Sequence, residues 1–259
     1  MSTQNSKYLV FLLLVIVFTI PFYLWGLLFP VEGLPFGLPI SFLAILVPGA
    51  LALIYAWKDQ GAQGAASMLR SVFDAGRASR SALAFCLLCM PAVAVLSYGA
   101  MAAFSFPLPA QTVIPYGEIP VMLVLYFLGA IPEELGWTYT LSAPLSQKYG
   151  VIPAGVLIGG VWALWHIIPW SENHTAGWIA GMCLLDILMR IAMLHVYVYG
   201  GKSLFTGIVF HMMINVSMGL FPNSGSHADP WIFSAWMAVL LGLLMYRSGP
   251  AGKRKLQAG

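Results

Sequence analysis

An all-α bundle of about eight membrane-crossing helices is the fold class that this sequence predicts. Three observations predict it. Of the 259 residues, 60% are hydrophobic and only 8% are charged, where a soluble domain carries about 25% charge. The mean hydropathy is +0.85. Apolar runs of the roughly 17–25 residues needed to cross a bilayer recur along the chain, separated by short polar connections. Lipid is then the outer solvent, and the helices make the core from one another.

The runs fall near 8–29, 36–57, 81–105, 119–145, 151–170, 176–198, 203–221 and 230–247. The first, at about 22 residues, is too long for the apolar part of a cleaved signal, and no small-residue cleavage site follows it, so it is expected to stay as a span. The connection 58–80 mixes Met68, Leu69, Val72 and Phe73 with Arg70, Arg77 and Arg80. It reads either as a short amphipathic helix on an anionic leaflet or as a solvated basic loop. Cys86 and Cys89 lie in the apolar third run. A redox dithiol needs access and an electropositive setting, so packing is expected instead. With Cys183 in the sixth run, three cysteines give no disulfide framework.

The fourth run contains Gly129-Ala130-Ile131-Pro132-Glu133-Glu134. Proline is favoured at the first position of a helix, so the run is expected to break here and restart. Glu133 and Glu134 would then sit in a first turn, where free amides and the helix dipole favour negative charge. In the fifth run Trp162 and His166 share a face, and in the seventh His211 and Asn215 do. Asp186 and Arg190, four apart in the sixth run, most simply neutralise each other. Gly155-x-x-x-Gly159 and Gly177-x-x-x-Gly181 would let the fifth and sixth helices approach closely.

Charge placement gives the orientation. Lys7, then Lys58, Arg70, Arg77 and Arg80, then Lys148, then Lys202, then Arg247, Lys253, Arg254 and Lys255 follow alternate sides of the spans. The connections near 30–35, 106–118, 171–175 and 222–229 contain no Lys or Arg. Basic loops mark the cytoplasmic side, so both termini are expected there. The net charge of +3 is a by-product of that asymmetry and calls for no nucleic-acid partner. The chain reads as one domain, 1–259, with membrane lipid as its surroundings.

Ionisable residues inside spans are rare and usually face a bundle interior or a wet cavity. Two carboxylates, two imidazoles and an amide on three spans therefore suggest a reaction centre: Glu133, Glu134, His166, His211 and Asn215. Adjacent residues on a helix point about 100° apart, so one Glu can face the centre while the other braces a neighbouring helix. Removing a carboxylate from water strengthens its hold on a proton, which suits a general base. Each motif taken singly also has a plainer reading, as a charge pair at a kink or as interhelical hydrogen bonding. His174, His195 and His227 are expected to be ordinary. The rival classes are a proton-coupled transporter or channel, against which no internal duplication is visible, and a non-catalytic scaffold.

In this order and topology, the motifs resemble the CAAX protease and bacteriocin-processing family of intramembrane endopeptidases, which includes the Ras-converting type. The resemblance covers the motif-bearing core, about 119–221. The family's Glu-Glu-x-x-x-Arg reads Glu133-Glu134-Leu-Gly-Trp137-Thr138 here, its Phe-x-x-x-His reads Trp162 to His166, and its His-x-x-x-Asn reads His211 to Asn215 after Ser203-Leu204. The departure is Thr138 in place of Arg, for which Arg190 is the candidate substitute.

The resemblance implies hydrolysis of peptide bonds in hydrophobic or lipid-modified substrates, in the plasma membrane of a bacterium or archaeon. Glu133 and His166 would activate water, and His211 and Asn215 would hold the oxyanion. Glu133, His166 and His211 are chemically sufficient for zinc. Water activation without an obligatory metal is the expectation, with zinc as the open alternative. The missing Arg leaves an inactive member, acting as scaffold or immunity protein, as the other.

Overall fold

A computed structural model describes residues 3–28 and 40–248. The described residues are helical with short connections and no strands: α1 (Thr3–Leu28), α2 (Leu46–Ser71), α3 (Arg80–Ala103), α4 (Ile119–Glu134), a π-helix (Leu135–Ser142), α5 (Ala143–Tyr149), α6 (Val151–Ser171), α7 (Ala176–Tyr199), α8 (Leu204–Leu220) and α9 (Pro230–Ser248). The connection expected at 30–35 and the basic Lys253, Arg254 and Lys255 lie outside the described residues.

Seven helical stretches among the described residues are long and apolar enough to cross a membrane. The eighth expected span, 203–221, forms α8, only 17 residues long. At 1.5 Å per residue it reaches about 25 Å, short of a ~30 Å hydrocarbon core. Most of α8 is buried among its neighbours, including Thr206, Ile208, Phe210 and His211, so its length need not match the bilayer.

The basic connections meet at one end of the bundle. Ser79 donates its amide to Gly200 O at 2.8 Å, and the Ser203 hydroxyl donates to Asp74 O at 2.7 Å. The connections without Lys or Arg meet at the other end, where Asn223 and Val113 exchange two hydrogen bonds and Trp178 Nε1 donates to Ala228 O. Residues 58–71 prolong α2 as helix, with a non-helical Gly61 at φ 64°. Met68 and Val72 are buried while Leu69 and Phe73 are exposed. Of the two readings of this segment, the helical one is what forms.

The core is built around α7. Of its apolar span 67% is buried, against 28–39% in the other six. Glycine makes that possible on the α6 side, because a β-carbon at Gly155 would lie 2.8 Å from Ile191 Cα, and one at Gly159 2.8 Å from Ile187 Cα. The second small-residue pair acts differently from expectation. Gly181 packs on Pro230 and Trp231 of α9, and a β-carbon at Gly177 would meet nothing within 4 Å. Cys86 and Cys89 are buried, with Cys89 Sγ on Met237 Sδ at 3.9 Å, as packing residues should be.

The α6–α7 contact makes a prediction with a sign. Gly159→Ala should lower the thermal stability of the detergent-solubilised protein, by about 1–3 kcal/mol for a methyl forced against backbone. Gly160→Ala, one residue away with nothing within 4 Å of its β-carbon, should raise it slightly, by up to ~1 kcal/mol. Thermal unfolding of the two variants side by side reads the difference.

Candidate active site

Pro132 does not break the fourth run. It lies inside α4, which continues through Glu133 and Glu134 before passing into the π-helix. The two carboxylates therefore close a helix rather than open one, and amide groups of a first turn do not hold them. Proline removes one helical hydrogen bond and crowds the preceding turn. Close packing against α2 holds the backbone in place: a β-carbon at Gly49 would lie 2.7 Å from Pro132 Cα, and one at Gly136 2.6 Å from Pro48 Cβ. The wide turns of the π-helix are bridged by hydroxyls reaching back five residues, Thr140 to Leu135 O at 2.9 Å and Ser142 to Trp137 O at 3.2 Å.

Glu134 is fully buried and saturated with partners. Arg190 of α7 donates to both its oxygens, NH1 to Oε2 at 2.8 Å and NH2 to Oε1 at 3.2 Å. Thr138 donates its hydroxyl to Oε2 at 2.5 Å. His211 of α8 places Nδ1 2.8 Å from Oε1. Arg190 also lies over the Trp162 ring, 4.2 Å from its centroid. The cation expected at position 138 thus comes from α7.

Glu133 is differently placed. Its Oε2 accepts one hydrogen bond, from Trp162 Nε1 at 2.9 Å, and its Oε1 faces His211 Nε2 at 3.9 Å. His211 consequently stands between the two carboxylates, one ring nitrogen toward each. Asn215, one turn further along α8, is half-buried.

His166 is more open than the two glutamates and His211, with 22% of its side chain exposed. Its Nδ1 lies 3.1 Å from Asp186 Oδ2. The expected Asp186–Arg190 pair is therefore not what forms. The two side chains leave α7 one turn apart and engage different helices, Asp186 the α6 histidine and Arg190 the α4 carboxylate. Local spacing yields here to partners on other helices. Trp162 links the set, with ring centroids 5.1 Å from His166 and 5.4 Å from His211.

Sequence reasoning missed Asp186 as a partner of His166, Trp162 as the donor to Glu133, and Thr138 as a donor to Glu134. The other histidines stand apart. His174 stacks on Trp178 and His227 meets Ser226, while His195 packs near Tyr199 at the basic end of α7. Among the described residues no three His, Cys, Asp or Glu groups converge as metal ligands would. His211 has Nδ1 committed to Glu134, and His166 has Nδ1 committed to Asp186. A carboxylate on Nδ1 leaves Nε2 of each ring as the nitrogen a zinc ion would use, so Glu133, His166 and His211 are the residues that would hold one, although they are not drawn together as ligands here.

Comparison with known proteins fits this geometry. Residues 115–217 match the family model described as type II CAAX prenyl endopeptidase Rce1-like. That stretch contains Glu133, Glu134, His166, His211 and Asn215. The chain is also 26% identical over 200 residues to CAAX prenyl protease 2 of Methanococcus maripaludis, spanning 69% of this chain and 73% of that protein. The family resemblance carried by the three motifs is borne out.

The Arg190–Glu134 pair can be tested for its structural weight. Removing one partner of a buried ion pair strands the other charge, at about 3–5 kcal/mol. Arg190→Gln should therefore unfold well below wild type. Arg190→Gln combined with Glu134→Gln should recover a large part of the loss, because no charge is left stranded. A double-mutant cycle on thermal or denaturant unfolding would measure the coupling.

Proposed function

We propose that this Rce1-like, CAAX-type membrane protease hydrolyses a peptide bond in a prenylated or otherwise membrane-anchored substrate, with Glu133 as the general base. One observation carries the assignment: the two adjacent carboxylates are unequally engaged. Glu134 accepts from Arg190, Thr138 and His211, so taking a proton would sacrifice an ion pair. Among the described residues Glu133 accepts only from Trp162 and keeps an oxygen directed toward His211. A base must have a lone pair to spare.

In the proposed reaction, Glu133 takes a proton from a water molecule, assisted by His166 Nε2, and the hydroxide adds to the substrate carbonyl. The carbonyl oxygen becomes an oxyanion, to which His211 Nε2–H and the Asn215 amide donate. Collapse of the tetrahedral species breaks the C–N bond, and the proton held by Glu133 passes to the departing amine. For His211 to donate from both nitrogens it must be an imidazolium. Glu133, Glu134 and Arg190 together leave one negative charge uncompensated, and that extra proton balances it. A preorganised donor pair in a water-poor site is worth more than in bulk water, typically about 3–4 kcal/mol per donor.

The substrate class rests on likeness. The relative is named a CAAX prenyl protease, and the family description is that of a prenyl endopeptidase. A site buried among membrane-spanning helices also suits a peptide whose lipid anchor brings it to the bilayer. No obligatory metal belongs to the proposal.

The purified protein should cleave a farnesylated peptide ending in a CaaX sequence faster than the same peptide without the lipid. Glu133→Gln should lower kcat by about 10²–10⁴-fold, and Asn215→Ala by about 10²–10³-fold. A chelator should leave the wild-type rate unchanged. Full activity in Glu133→Gln would defeat the assignment of the base, and loss of activity on chelation would bring zinc back.

A further inference from the structure

We infer that Asp186, outside the three motifs, is a positioning residue that fixes the tautomer and orientation of His166. The inference rests on the role proposed for His166 and extends it. Asp186 is 2% exposed and directs Oδ2 to His166 Nδ1 at 3.1 Å. A carboxylate only accepts hydrogen bonds, so Nδ1 carries the proton. In the neutral ring Nε2 is then left as the acceptor. Which ring nitrogen is free to act as a base is decided by the partner of the other one, and here that partner lies on α7.

The surroundings of the ring support a fixed orientation. Trp162 and Trp165 approach it edge to face, at 5.1 and 4.9 Å between centroids, and Trp170 stacks on it at 5.0 Å and 22°. The cage is itself tied down. Trp165 donates its Nε1 to Thr19 of α1 at 2.9 Å, and its carbonyl accepts from Tyr23 at 2.7 Å. Three indoles and one carboxylate thus leave the imidazole little freedom to turn. The neighbouring charge on α7, Arg190, is spent on Glu134 and does not compete for Asp186.

An Asp186→Asn variant removes the charge and allows the amide to donate to Nδ1, which would force the proton onto Nε2. The expected result is a fall in kcat of about 10²–10⁴-fold, the range seen when a base loses its correct tautomer, with KM changed by less than a few-fold. If Asp186 acts through His166 alone, Asp186→Asn combined with His166→Gln should be no slower than His166→Gln by itself. Selective ¹⁵N labelling of histidine should show the His166 ring nitrogens changing character in Asp186→Asn, with the other histidines unmoved.

An Asp186→Asn protein that keeps the wild-type kcat overturns the inference. So does a double variant slower than His166→Gln, or a loss of rate with an unaltered ¹⁵N pattern, since both indicate a general packing role. The proposed function fails separately: it would show as a fully active His166→Gln or Glu133→Gln. Inactive His166→Gln beside fully active Asp186→Asn defeats the inference alone.

Discussion

A guanidinium with 1% exposure sits at the centre of the bundle, and the positions of four helices follow from it. Taking a cation from water costs several kcal/mol even after relaxation, so Arg190 can be buried only where opposite charge and hydrogen bonds converge. Glu134 supplies both through two contacts, and the Trp162 face supplies a further attraction. Those partners lie on α4 and α6. Glu134 in turn takes the α8 histidine. None of the four helices can slide by a turn without stranding a charge in a medium of low polarity. Specificity of this kind, rather than net stability, is what a buried ion pair is best placed to give.

The same network explains why two adjacent glutamates take different parts. Successive side chains on a helix diverge by about 100°, so Glu133 and Glu134 cannot reach the same partners. The guanidinium goes to one of them and leaves the other, among the described residues, with a single neutral donor, Trp162. Thr138 reinforces the division. Its hydroxyl reaches back one turn to Glu134, and Gly207 of α8 leaves room for it, since a β-carbon there would sit 3.0 Å from Thr138 Oγ1. Structure and chemistry are thereby separated between neighbouring residues: Glu134 anchors the bundle and Glu133 remains available.

Much of this was legible in the sequence, for reasons that differ from residue to residue. Membrane spans announce themselves because lipid tolerates few charges, and the five motif residues stand out against that background. All but Asn215 have a direct polar partner in the network described above. The continuation of α4 through Pro132 was not legible. The rule that proline starts a helix describes a free end, whereas here packing on Pro48 and Gly49 and a following π-helix hold the chain on course. The partner of Asp186 was hidden by a local rule of the same sort, whereas Arg190 was already the candidate for the charge missing at Thr138. Their spacing invites an i,i+4 pair, but the antiparallel hairpin of α6 and α7 offers other registers. Positions about equally far from residue 176 face one another, so that 166 meets 186 and 162 meets 190. Hairpin symmetry is the signal that could have pointed to Asp186 as the partner of His166.

That register gives Thr138 a meaning beyond an absent charge. An arginine at 138 would arise from the same helical run as the glutamates and would hold Glu134 by a contact within one segment. In this chain the cation arises 56 residues away from Glu134, on the most enclosed helix. The carboxylate pair is therefore tied to α7, and one turn along the same helix Asp186 ties His166 to it as well. A single rigid element thus sets the separation between Glu133 and His166, the two groups that the proposed reaction brings to one water. Loops need not be precise for that separation to hold. Moving the charge from the motif to α7 changes the source of the support while keeping the ion pair, and the buried glutamate is satisfied either way.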